Sequence, residues 1–477
     1  MATPDLDARR EEILNAPLTT IMMKLALPTM GSALLDTLYS FLDSLWLGGL
    51  GSSSVSAPML TLTVLWLLFS IFGGIINGAF PFISQNRGAG RDEDARKAAG
   101  QAMFLATIIM LPLIITFLFL LPYIATFFGL ESSFREDFIA YASIVIFSDI
   151  ALGVAQMSLG LIRLWGYPEL SFYIRVPFVT LNAVLDPFLI YGWGPFPALG
   201  VRGAAIATLL AEVLEAIVAI YFLAYGKVGV SMRLKHLKPD FELIKKIVRI
   251  GTPLGITNFT EASGFFILTS IISNIGPVAI TTWTVYDKLT SLFWWMINSL
   301  NNTSITIIGQ CIGANKFDRA ERAIRLTLIV SFLIALVGTV LIAIFHKQIF
   351  MLFLRNPNDP YRIPVIEQSF YVSVIFGASL PVLAVSFSAL APFYVSGRTK
   401  YPMYVAIARL WLMRVPLTFL FGIALGFREI GAWTGMSLSN FVAFGVSYTL
   451  LKMGKWKMRV VEDKEVTITE ETSPKVD

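Results

Sequence analysis

The sequence predicts an all-α polytopic membrane protein: twelve transmembrane helices in two six-helix lobes, related by a pseudo-twofold axis along the membrane normal. Composition is the first observation behind this. Of 477 residues, 56% are hydrophobic and 14% charged, and mean hydropathy is +0.70. A soluble domain carries about 25% charged residues, and one soluble core could not hide this much apolar surface. The second observation is that apolar runs of spanning length recur twelve times. The third is that the second six repeat features of the first six.

Taken in order, residues 1–19 are polar and mixed in charge, and read as a cytoplasmic N-terminus without a cleavable signal. Apolar segments follow near 20–48, 58–82, 98–127, 138–162, 169–192 and 199–225, forming an N-lobe over 20–225. A basic linker, 226–249, contains Lys238-Pro239-Asp240, where Asp240 is placed to cap a short helix on the membrane surface. Segments near 250–274, 278–308, 321–345, 367–393, 402–426 and 429–451 make a C-lobe over 250–452. The tail, 453–477, is polar and acidic and reads as cytoplasmic and disordered.

Basic residues cluster in alternate loops, for example Arg87, Arg91, Arg96 and Lys97, then Lys316, Arg319, Arg322 and Arg325. This positive-inside pattern puts both termini in the cytoplasm of a multi-pass plasma-membrane protein. The 346–366 loop, with Lys347, Arg355 and Arg362, is the main exception. The same pattern accounts for the net charge of +5 without nucleic acid. At an offset of 225 residues Pro28 matches Pro253, Gly51 matches Gly276, and Gln85, Gly88 and Ala89 match Gln310, Gly313 and Ala314. Six spans per half is an even number, so the repeats are parallel.

One cysteine, Cys311, excludes an intrachain disulfide framework, and two histidines, His236 and His346, argue against a histidine-based zinc or haem site. Neither an intramembrane nucleophile–base pair nor a GxxxxGK[ST] loop is visible, which argues against a membrane enzyme and against ATP-driven transport. No cofactor is expected, the partners are small organic molecules and the bilayer, and the chain is expected to be monomeric.

Polar chemistry concentrates in Thr180–Ile190. Asn182 and Asp186 are four residues apart and share a helix face. Pro187 has no N–H and frees a carbonyl near Ala183. Asp43, Asp186 and Thr208 fall at similar depth in the outer half of the membrane, at about 1.5 Å per residue from their span ends. Asp36, Tyr39 and Asp43 form one stripe; Thr208, Glu212 and Glu215 form another. These are hard oxygen ligands, suited to Na⁺ or to a proton shared between buried carboxylates. The alternative is that they only tie helices together. For Asp36 both readings stand, and for Glu212 and Glu215 inter-helix pairing is favoured. For Arg175 the reading is snorkelling or pairing with a glutamate such as Glu169. Glu261, mid-span in the second half, is a candidate for substrate or proton binding against local pairing. Asp287 and Lys288 each need a partner elsewhere. Most of the 37 Phe and 16 Met are expected to face lipid or pack the core.

The order and spacing of Leu25-Ala-Leu-Pro28, Asp43 before Gly48-Gly-Leu-Gly51, Gln85-Asn-Arg-Gly-Ala-Gly90, Leu181-Asn-Ala-Val-Leu-Asp-Pro187, Gly200-Val-Arg-Gly-Ala-Ala-Ile-Ala-Thr208 and Gly309-Gln-Cys-Ile-Gly-Ala-Asn315 resemble the multidrug and toxic compound extrusion (MATE) family, over roughly residues 20–452. The resemblance is greatest to its DinF-like and archaeal subgroup. It implies a multidrug efflux antiporter whose two six-helix lobes enclose a central cleft, exchanging organic, often cationic, compounds for H⁺ or Na⁺. By motif, it puts the cation or proton site on Asp43, Asn182, Asp186 and Thr208, with Ala204 in place of Thr208 if the preceding loop differs in length. Na⁺ would take those same four residues. Tyr39 and Tyr141 look like family positions lining the pocket, and Glu261 resembles the seventh-helix glutamate of the NorM-like branch. No acidic residue occupies Gln368–Pro381, where that branch has an aspartate. A lipid-linked oligosaccharide flippase of the same superfamily is the rival function; it would call for extra spans and a cationic cleft.

Overall fold

A computed structural model describes residues 6–48, 61, 70, 72–127, 132–225, 230–354 and 360–461. Within its helices, the side chains of residues 6, 7, 38–45, 48, 127, 132–134 and 137 lie outside the description. Among the described residues there are helices and turns and no strand. A short helix α1 (Leu6–Asn15) precedes α2 (Leu18–Gly48). Then come α3 (Phe80–Gly88), α4 (Asp92–Phe127), α5 (Ser132–Leu164), α6 (Pro168–Tyr191) and α7 (Val201–Ala224). The second half runs α8 (Phe241–Ile275), α9 (Pro277–Gly313), α10 (Phe317–Phe353), α11 (Arg362–Tyr371) continuing through one π turn and one 3-10 turn into α12 (Leu380–Val395), then α13 (Lys400–Ile407), α14 (Val415–Phe419) and α15 (Arg428–Lys452).

Among the described residues, eight helical stretches are long and apolar enough to cross a membrane: Leu18–Thr37, Asp92–Thr126, Phe138–Leu164, Pro168–Tyr191, Val201–Ala224, Phe317–Phe353, Arg362–Val395 and Lys400–Ala424. The long helices α8, α9 and α15 carry more polar faces. The α9 helix buries Thr282, Ser299, Thr303, Ser304, Thr306 and Gln310, and α15 buries Ser439, Asn440 and Ser447. A helix shielded by its neighbours needs no lipid-like surface all round.

Local signals explain the breaks. Pro168 stands in the first turn of α6, and Gly192 ends that helix in the left-handed region at φ 74°. Asp240 caps α8 by accepting from the backbone N–H groups of Glu242 at 3.1 Å and Leu243 at 3.0 Å. The expected short surface helix after Asp240 is instead the start of one 35-residue helix, which runs on through Gly251 and Pro253 and ends before Gly276. The 3-10 turn Leu234–Leu237 docks beside α4 through Glu93, whose carboxylate meets Lys235 Nζ at 2.5 Å and His236 Nε2 at 3.0 Å. Hydrogen bonds to those two side chains bring the Glu93 carboxyl down from 4.5 to about 2.

One apolar cluster comes wholly from the first half, including Leu47, Phe138, Tyr141 and Ile190. Another comes wholly from the second, including Trp283, Tyr286, Phe376 and Trp433. Two further clusters cross between halves, one bringing Ile247 onto α4 and α5 and the other joining Leu25 to Ile308 and Phe393. The α1 helix also bridges the halves, so part of the polar N-terminus is embedded rather than free in solvent. Arg9 donates to Gly166 O at 2.7 Å and pairs with Glu169 at 2.6 Å, while Arg319 donates to Ile13 O at 2.8 Å.

The repeated motifs meet each other. A Cβ on Gly88 would stand 2.0 Å from Gln310 O, and one on Gly313 would stand 2.0 Å from Gln85 O. The two glutamines reach across in the same reciprocal way. Gln85 Nε2 donates to Val395 O at 2.8 Å, and Gln310 Nε2 to Leu164 O at 3.1 Å. Introducing Gly313→Ala therefore forces backbone apart and should lower stability by about 1–3 kcal/mol or more. Gly445→Ala, with nothing within 4 Å of its Cβ, should raise it by about 0.5–1 kcal/mol. Thermal unfolding of the two variants in detergent reads the difference, and equal midpoints would contradict the interlock.

Candidate functional site

The α6–α7 hairpin builds the first-half site. Gly203 lets the start of α7 press on α6, since its Cβ would lie 2.2 Å from Leu189 O. That register brings Thr208 to Asn182, whose Nδ2 donates to Thr208 Oγ1 at 3.3 Å. Asn182, Asp186 and Thr208 are 2%, 0% and 7% exposed. Among the described residues Asn182 Oδ1 is buried with no hydrogen-bond partner. Ala204, the alternative to Thr208, packs instead in the apolar cluster with Tyr141 and Ile190. Tyr141 is buried on α5, beside this hairpin, and Pro187 is buried within a continuous α6. Tyr39 and Asp43 lie on the backbone of α2, which packs along α6; their side chains are outside the described residues. The end of this helix pair is closed by aromatic rings. Tyr191 Oη donates to Trp46 O, and Trp193 lies edge-on to Trp46 and Phe188, with centroids 6.1 Å apart in each case.

One to two turns inward, an ion trio crosses three helices. Arg175 on α6 donates to Asp36 on α2 at 2.6 Å and to both Glu215 oxygens on α7 at 2.9 and 3.0 Å. This corrects the pairing of Arg175 with Glu169, which is engaged by Arg9. Glu169 stands six residues before Arg175, off its helix face, whereas Asp36 and Glu215 come from facing helices. A crevice of ≈ 30 Å³ connects the two levels, lined by Asn182, Thr208, Glu212, Glu215 and Arg175 among others. That is room for about one water.

In the second half Glu261 on α8 pairs with Arg409. Arg409 is 3% exposed and its guanidinium lies 5.3 Å from the Phe387 ring centre. Arg414, also buried, donates to Ser439 Oγ at 3.0 Å and to Asn440 Oδ1. Asp287 and Lys288 make no ion pair among the described residues. A cavity of ≈ 460 Å³ lies between the halves, lined by α4, α5, α9 and the stretch 73–80. It faces two charged residues of α5, Asp149 and Arg163. Asp149 is a site residue that the sequence reading passed over; its visible signal is a lone carboxylate in the middle of an apolar span. Among the described residues no three His, Cys, Asp or Glu side chains gather to share a metal ion.

Buried ionisable groups inside an all-helical membrane bundle, with a cavity between its halves, fit a membrane transporter. The MatE family model matches residues 28–188 and again 253–420, starting at Pro28 and Pro253, the same pair that marks the repeat. The chain belongs to that family. A Probable multidrug resistance protein NorM from Thermotoga maritima is 25% identical over 446 residues, covering 93% of this chain and 94% of its own. A Probable multidrug resistance protein YoeA from Bacillus subtilis is 26% identical over 411 residues, covering 84% and 85%. Among solved structures, a MOP superfamily transporter from Pyrococcus furiosus superposes with a TM-score of 0.84 at 23% identity, over 93% of this chain and 97% of that one.

The ion trio generates a stability prediction. Arg175→Met strands Glu215, whose side chain is 4% exposed, and should cost about 3–5 kcal/mol. Adding Glu215→Met should recover much of that loss in a thermal or denaturant unfolding series, and a double variant as unstable as the single would contradict the pairing.

Proposed function

We propose that this protein is a cation-coupled multidrug efflux antiporter, akin to the DinF-like and archaeal subgroup, driven by H⁺ or Na⁺. It works in the plasma membrane with both termini cytoplasmic. Its lobes, 20–225 and 250–452, are joined by the linker 226–249 and move against each other in alternating access. The observation that carries the reading is the buried, unsatisfied Asn182 Oδ1 beside Asp186 and Thr208. A buried oxygen without a donor is costly in a membrane interior, and a cation or a carboxyl proton resolves the cost. In this reading Asp43 and Tyr39 complete the site from α2, Tyr141 borders it, and Pro187 gives α6 the means to bend as the ion binds. The Asp36–Arg175–Glu215 trio holds the three helices in register beneath it. Glu261 is held by Arg409 and takes a structural or gating part.

Coupling requires that ion and substrate prefer different conformations. The relatives' names point to drugs as substrates, and the carboxylates of the first half favour organic cations among them.

The test is efflux of a fluorescent cation from proteoliposomes under an imposed pH gradient or an imposed Na⁺ gradient. The gradient that drives efflux identifies the ion. Asp186→Asn and Asn182→Ala should each slow driven efflux about tenfold or more, ~1.4 kcal/mol in coupling. Full driven efflux in both variants would overturn the site assignment.

A further inference from the structure

We propose that Asp149 is the anionic anchor of a binding site for a singly charged, drug-sized ammonium compound in the cavity between the halves. It rests on the transporter reading above only for the purpose of the site; the site itself is argued from its chemistry. Asp149 is 5% exposed, lines the ≈ 460 Å³ cavity, and its Oδ2 has no hydrogen-bond partner among the described residues. A carboxylate kept in a membrane span only to tie helices together would have its oxygens engaged by a neighbouring helix. Among the described residues no neighbouring helix engages this Oδ2, and the residue borders the cavity. The volume falls within the range of small-molecule sites, about 300–1,000 Å³.

The walls match an apolar body. Met110 and Met157 supply adaptable, polarisable surface, Phe80 offers a ring face to a cation, and Asn77, Gln156 and Asn302 add neutral polar contacts. A metal ion is a poor match, since a single carboxylate in so large a space leaves most of its coordination unfilled.

Charge around the cavity sets the valence. Asp149, Gln156 and Arg163 lie on one stripe of α5, seven residues apart each time, so Arg163 stands about 20 Å from Asp149 along the helix. The other charged groups near this face are Glu212 and Glu215 on α7, Arg175 on α6 and Asp36 on α2. Glu215 and Asp36 share the single positive charge of Arg175 and do not line the cavity. Glu212 hydrogen-bonds to Ser148 and adds its field behind Asp149 without lining the cavity. The cavity thus has one negative end and one positive end. A single ammonium is attracted at the first, and a second cationic group extending toward Arg163 is repelled.

Equilibrium binding to the purified, detergent-solubilised protein tests this without any ion gradient, so its failure is separable from failure of coupled efflux. The probes are ethidium, its dicationic relative propidium, and uncharged 6-phenylphenanthridine. Wild-type protein should bind ethidium more tightly than propidium. Asp149→Asn, which keeps the shape, should weaken ethidium about tenfold, ~1.4 kcal/mol, and leave the uncharged probe unchanged. Gly73→Leu projects into the cavity from a position whose Cβ meets nothing within 4 Å among the described residues. It should weaken all three probes and guards against a misfolded Asp149 variant. Unchanged ethidium affinity in Asp149→Asn, equal losses for ethidium and the uncharged probe in it, or wild-type ethidium affinity in Gly73→Leu would each overturn the site. Propidium bound as tightly as ethidium would overturn the single-charge assignment.

Discussion

The constraint on which the rest depends is the reciprocal approach of two glycines to two glutamine carbonyls. Gly88 and Gly313 bring backbone closer to Gln310 and Gln85 than any side chain would allow. Both glutamines, fully buried, then reach past this contact to the ends of α12 and α5. The second-half helix α8 also packs on the first half through glycines, with Gly251 set against Ile75 O and Gly78 against Ile247 O. Together with Arg9 and Arg319, which hold α1 between the halves, these contacts join the two halves at the end where the repeated loops lie. The interior polar groups are positioned relative to that junction. A junction of this kind closes the bundle at one end, and alternating access requires that end to open in turn.

Within the first half, charge is balanced unevenly along the helices, and the imbalance is what leaves sites. Arg175 satisfies Asp36 and Glu215 together, a compact arrangement because a guanidinium can engage two carboxylates at once. That leaves Asp149 and Glu212 outside the ion pairs of the described residues. The ≈ 30 Å³ crevice running from Asn182 and Thr208 to Glu212 and Glu215 ties the outer cluster to the inner one. A water in that crevice would give the two levels a hydrogen-bonded link, so the state of one bears on the field at the other.

How much of this was legible in the sequence depends on how local each signal is. Asn182, Asp186 and Pro187 declare themselves within six residues, and the depth count brought Thr208 to their level, where the structure has it bonded to Asn182. The family match and the eight strongly apolar helices likewise follow from patterns written along the chain. The partners of Arg175 did not, because they lie 139 and 40 positions away and only helix packing brings them together. Glu169 was the nearest acid in sequence and is drawn off by α1, a helix within a stretch that composition marks as a free terminus. Asp149 was missed for the opposite reason. It has no polar neighbour at helical spacing except Gln156 and Arg163 one and two heptads on, and its meaning comes from the cavity it faces. The interlocked loops were visible as a repeat, but a repeat says nothing of which copies touch.

The repeat also shows where the halves diverge, and the divergence has an electrostatic consequence. Pro187 and Pro416 occupy corresponding places in the fifth span of each half. Before the first stand Asn182 and Asp186; before the second stand Arg409 and Arg414, both buried. Arg409 is matched by Glu261, whereas Arg414 meets the neutral Ser439 and Asn440 and the Phe376 ring. Two guanidiniums thus sit inside the second half where the first half has an amide and a carboxylate, and in a low-dielectric interior the field of an ionised group extends well beyond contact distance. The two halves thus share a frame but carry different buried groups at its matching places, Asn182 and Asp186 before Pro187, Arg409 and Arg414 before Pro416.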